Sequence, residues 1–154
     1  MFYFLVLTSL LIPAQRPARP RGPEFSVPQG WAVEFSFPDI LVVNHSKGAS
    51  LRVVRSRTTD DLRSFAIRAV DRLANPLGFA QVGMAQHFSD ANEEWFEYVI
   101  RGNRLAEHRR ILYRAARDSQ NPTSVIEMIY ESREDQFDVL LSEAHSIASQ
   151  FLSK

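Results

Sequence analysis

Between Ser132 and Phe151, apolar side chains fall at Phe137, Leu140, Leu141, Ala144, Ile147, Ala148 and Phe151. Spacing of three and four residues places all of them on one stripe of an α-helix, with polar residues on the rest of its surface. Ser132 followed by Glu134 and Asp135 reads as the start signal. Its hydroxyl can accept from the first free N–H groups, and the two carboxylates sit at the positive end of the helix dipole. Each large apolar side chain gains about 1.5–3 kcal/mol on leaving water. A stripe this wide therefore has to lie on another layer, and that requirement constrains the fold of the whole chain.

The residues upstream supply a sheet. Phe25 to Val27 leads into a turn at Pro28-Gln29-Gly30-Trp31, and Ala32 to Phe37 continues extended. Leu41 to Val43 and Leu51 to Arg55 are β-branched runs separated by the loop composition of Asn44 to Ala49. A first helix is expected after a cap at Thr59 or Asp60, with Leu62, Phe65, Ala66, Ala69, Val70 and Leu73 as its stripe and Asn75-Pro76 as its stop. Leu77 to Phe88 reads as one strand bent at Gly83. Glu94 to Arg101 alternates, with Phe96, Tyr98 and Ile100 on one face, and Gly102-Asn103 suits a two-residue hairpin turn before a return strand from Arg104 to about Ala116. After a turn at Asp118 to Pro122, Val125 to Glu131 is the last strand. Strands, helix, strands, helix predicts an α+β domain: an antiparallel β-sheet meander flanked by helices.

With 154 residues the chain makes one such domain. Eighteen basic and eighteen acidic residues give a formal charge of zero, which removes the electrostatic case for a nucleic-acid partner. There is no cysteine, hence no disulfide frame, thiolate nucleophile or cysteine-bound metal.

Met1 to Pro13 is almost wholly apolar and is followed by the small residue Ala14. The run is shorter than the roughly 20 residues that span a bilayer and has the length of a signal-peptide core. Residues 1–14 are read as a signal peptide, with no basic residue ahead of the run and with Ile12 a poor match three residues before the cut. Residues 15–24, rich in Pro and Arg, are read as a stiff linker, and residues 25–154 as the folded domain. A secreted or periplasmic location is the consequence, while an uncleaved anchor and a buried N-terminal strand stay open as alternatives. Peripheral membrane contact is expected only through this N-terminal segment.

The turn at Pro28-Gln29-Gly30-Trp31, a first helix near the middle, a long meander with Gly102-Asn103, and a closing helix through Ile147-Ala148-Ser149-Gln150-Phe151 together resemble the PsbP-like superfamily. That superfamily includes the extrinsic subunit of photosystem II, a Ran-GTPase release factor, Eag-type secretion chaperones and exported bacterial proteins. The resemblance covers residues 25–152 and implies an α/β/α sandwich acting as a non-enzymatic binding or assembly module. No functional residue carries over from it, and the lipid-anchoring cysteine of many exported relatives is missing here.

The four histidines, His45, His87, His108 and His145, lie in separate elements and in no metal-binding spacing. No nucleophile elbow or phosphate-binding loop occurs, so no cofactor and no enzymatic activity are expected. One constellation remains. A turn at Gly102-Asn103 would pair Glu97 with His108 and Trp95 with Arg110, giving one face a carboxylate–imidazole pair and a guanidinium over an indole. Such a ladder is a solvated set of cross-strand pairs, a binding patch or, least of all because it lacks a nucleophile or metal partner, a catalytic dyad. The function expected is an exported binding or assembly module of the cell envelope with an unidentified protein or small-molecule partner. The alternative is a chaperone or secretion adaptor that holds an apolar helix of a client.

Overall fold

Alternation of apolar and polar residues builds a single antiparallel sheet with one helix packed on each face. A computed structural model describes residues 26–90, 93–118 and 121–153; the expected signal peptide and linker, and Phe25, lie outside these. In chain order the elements are β1 (Trp31–Phe37), β2 (Ile40–His45), β3 (Ser50–Arg57), α1 (Leu62–Ala74), β4 (Gly78–Val82), β5 (Gln86–Ser89), β6 (Glu94–Arg104), β7 (Glu107–Asp118), β8 (Asn121–Arg133) and α2 (Glu134–Leu152). The sheet runs β1-β2-β3-β8-β7-β6-β4, and β5 also pairs with β6.

The last helix does what its stripe requires. Phe137, Leu140, Ala144, Ile147 and Phe151 are buried against Leu41, Val43, Leu51, Val53, Leu112 and Tyr130. On the opposite face Leu62, Ala66, Ala69 and Val70 of α1 pack on Phe96, Tyr98, Ile100, Ile111 and Tyr113. The α/β/α layering expected from the sequence is thus present.

Local details depart from the sequence expectations. The cap of α1 is Asp61, whose carboxylate accepts from the Ser64 N–H at 2.9 Å. Those hydrogen bonds from Ser64 hold its pKa below the ordinary carboxylate value. Ser132 does not cap α2, because β8 runs on to Arg133 and buries Ser132 opposite Arg110; the N-cap residue Arg133 makes no side-chain cap bond. Residues 26–28 are not strand, although Val27 packs against the α2 core. The next turn is formed as read: the Trp31 N–H donates to Pro28 O, and Gly30 has φ +93°, a position for which glycine is suited. The single strand expected from Leu77 to Phe88 is divided into β4 and β5 at Gly83, whose N–H donates to Val99 O at 2.8 Å.

The main correction is the β6–β7 register. The turn is Leu105-Ala106, with φ +51° and +67°, and Arg104 faces Glu107. A turn at Gly102-Asn103 would set Phe96 and Tyr98, which α1 must cover, opposite Arg109 and Glu107. The observed register sets Phe96 opposite Ala115, Tyr98 opposite Tyr113 and Ile100 opposite Ile111. Burial of that apolar ladder outweighs the turn preference. Gly102 serves packing instead, since a Cβ there would lie 2.8 Å from the Leu77 Cβ.

Candidate binding surface

The observed register separates the four residues that a Gly102-Asn103 turn would have joined. Trp95 faces Ala116, Glu97 faces Arg114, His108 faces Asn103 and Arg110 faces Arg101. The slip is an even number of residues, so all four remain on the α2 side of the sheet. Arg114, the partner of Glu97, is six residues from His108, about 20 Å along an extended strand. Arg110 lies 4.2 Å over the ring of Phe137 and pairs with Asp138 at 3.2 Å. The carboxylate–imidazole pair and the Trp95–Arg110 contact are therefore not formed.

Arg114 takes the place assigned to Arg110. Its guanidinium lies 4.3 Å over the Trp95 ring and pairs with Glu93 at 3.3 Å, while Phe88 stacks beside Trp95 at 5.7 Å. The same arginine walls a cleft of about 280 Å³ under the C-terminal half of α2, lined also by Ile126, Met128, His145 and Ala148. The apolar floor and the Arg114–Glu93 pair suit a small amphiphile. Pairing Trp95 with Arg114 from sequence required the true turn, which no glycine or asparagine marks.

A second surface lies on the α1 side of the sheet, over the strands β1 to β3 that α1 does not contact. Trp31 and Val33 share the α2 side with Val43; the Trp31 indole N–H donates to Glu143 at 2.7 Å and its ring meets His45 edge-on at 5.1 Å. A bulge between Val33 and Phe35 adds one residue, Glu34, and reverses the facing of the rest of β1. Phe35 then lies opposite Val42, Phe37 opposite Ile40, and Ile40 opposite Val54. Because α1 packs on β4, β6 and β7, no described helix covers this half of the sheet, and Phe35 and Phe37 are 50% and 45% exposed. Glu127, opposite Val54, borders the open half and accepts from the Tyr113 hydroxyl at 3.1 Å. Burial first, and then the Glu127 charge, push the Tyr113 phenol above its ordinary pKa. The sequence marks β1 as a strand but carries no sign of the bulge that turns its phenylalanines outward. Among the described residues no group of three His, Asp or Glu side chains is placed to hold a metal ion.

Sheet order, layering and register can be set beside solved structures. LpqN of Mycobacterium tuberculosis, a protein involved in cell envelope biogenesis, superimposes with a TM-score of 0.56 at 12% identity, covering 82% of this chain and 79% of that one. Cyanobacterial PsbP from Synechocystis sp. PCC 6803 gives 0.52 at 17% identity, over 79% of this chain and 81% of that one. The fold is PsbP-like. The Ran-binding protein Mog1p of Saccharomyces cerevisiae shares this PsbP-like fold, with a TM-score of 0.51 at 18% identity over 82% and 83% of the two chains. No protein-family model matches the sequence, and no curated protein matches it either. At these identities the likeness establishes the architecture alone.

Proposed function

We propose that the protein is an exported, non-enzymatic binding or assembly module of the cell envelope that holds an apolar segment of a partner protein against the uncovered half of its sheet. The observation that carries this reading is the placement of Phe35 and Phe37, half exposed beside Ile40, Val42 and Val54 on the half of the α1-side face that no described helix covers. A grouped apolar surface of this kind on a folded domain marks an interaction site. The free edge of β1 is a poorer candidate, because the bulge at Glu34 interrupts the regular ladder that strand addition needs. Export is supported by the signal-like run Met1 to Ala14. Two neighbours lend general support: LpqN is described as involved in cell envelope biogenesis, and Mog1p as a Ran-binding protein.

The second reading, a cytosolic chaperone or secretion adaptor, uses the same surface for the apolar helix of a client. It requires Met1 to Ala14 to be retained. A photo-crosslinking residue at Phe37 in the native host separates the two. The expected result is capture of an envelope protein by a chain that has lost Met1 to Ala14, with capture abolished by Phe35→Asp. Capture of cytosolic clients alone, or capture indifferent to Phe35→Asp, overturns the proposal.

A further inference from the structure

One end of the molecule carries two bulky side chains in a backbone conformation that such residues rarely adopt. Phe79, in the bulge of β4, has φ +53°, and Leu105, in the β6–β7 turn, has φ +51°. The left-handed region is disfavoured for large side chains, and tight turns of this kind are usually filled by Asn and Gly. Packing normally offsets such strain, but Phe79 is 90% exposed and Leu105 is 95% exposed. Among the described residues, no packing compensates for either of them. Strain kept at exposed apolar tips points to a function outside the fold.

The two tips belong to the same end, since Gly78 pairs with Asn103 beside the turn. Beside Phe79 lies a cleft of about 310 Å³ lined also by Gln81, Arg101, Asn103, His108, Arg109 and Glu134, in which Arg101 pairs with Glu134 at 3.5 Å and Arg109 with Glu107 at 2.8 Å. The Arg109 guanidinium donates to Gly48 O at 2.9 Å, so the β2–β3 turn is fastened to this end as well. β1 begins here, with Trp31 opposite His45.

We propose that this end docks on an anionic lipid bilayer, with Phe79 and Leu105 entering below the headgroups and Arg101 and Arg109 exchanging their Glu134 and Glu107 partners for lipid phosphates. Two separate apolar tips beside polar and charged residues lack the continuous apolar centre of a protein interface. A bilayer needs no matching shape, only apolar groups that reach the acyl boundary and cations at phosphate height. The Phe35 and Phe37 surface approaches the opposite end of the sheet, so lipid docking leaves it open to a partner and does not depend on the partner proposal.

The test uses the full chain with phosphatidylcholine vesicles, with and without phosphatidylglycerol. In a Phe79→Trp variant, anionic vesicles shift the added indole emission to the blue, and lipids brominated in the acyl chain quench it. The N-terminal run is present in every variant, so a change in partitioning on substituting Phe79 or Leu105 is separate from its contribution. Phe79→Gly and Leu105→Asn each lower vesicle partitioning about tenfold, as expected for losing one buried apolar side chain. Both raise Tm or leave it unchanged, since each new residue accepts left-handed backbone. An indole at position 79 that stays water-exposed on vesicles overturns the proposal. So does partitioning unchanged in both substitutions, or a dimer in solution that Leu105→Asn dissociates.

Discussion

Gly30 and Gly48 both adopt left-handed backbone, at φ +93° and +80°, yet their surroundings differ. A Cβ at Gly30 would lie 2.4 Å from the His45 Nε2, whereas a Cβ at Gly48 would meet nothing within 4 Å. Gly48→Ala is expected to cost about 1–2 kcal/mol, the backbone penalty alone. Gly30→Ala adds displacement of a buried imidazole and should exceed it by about 1–3 kcal/mol, measured as the difference in urea midpoints at constant m-value. Equal losses would show that His45 yields freely. The role of Gly30 was legible in Pro28-Gln29-Gly30-Trp31, because a type II turn demands glycine at that place. The role of Gly102 was not. A glycine beside asparagine suggests a turn, while the close approach of Leu77 that it permits becomes visible only after the chain has folded.

At the scale of elements, helices were read more securely than the hairpin register. A helix stripe is a local pattern, and its period of 3.6 residues identified α2 together with all six of its buried residues. Leu140→Ala is expected to destabilise by about 2–5 kcal/mol. Val139→Ala, one residue away on the exposed side of α2, should stay within about 0.5 kcal/mol, both read by chemical denaturation. A hairpin register, by contrast, is a choice among pairings. The turn preference of Gly102-Asn103 competed with the pairing of Phe96, Tyr98 and Ile100 against Ala115, Tyr113 and Ile111, which α1 has to cover. That second contribution arises from a helix more than twenty residues upstream and so escapes any local reading. Arg114 entered the Trp95 cluster and Arg110 left it for the same reason.

Across the whole molecule, the central strands β3, β8 and β7 are paired on both sides, while β1 and the β4/β5 pair form the edges. Native-state amide exchange should accordingly be slowest at residues such as Val53, Leu112 and Tyr130, and fastest in β1, β4 and β5. Protection in β1 equal to that in β8 would refute the order of stability, unless a partner were bound to the Phe35 face. Sequence alone determined the fold class, the two helices and the antiparallel meander, because periodicity and the need to bury apolar stripes act within short windows of chain. Tertiary structure alone decided which residues meet across strands, where β1 turns its phenylalanines outward, and how Phe79 and Leu105 come to share one end. Those outcomes depend on one-residue bulges and on contacts between distant segments, where a small shift in pairing redirects a side chain without altering the pattern along the chain.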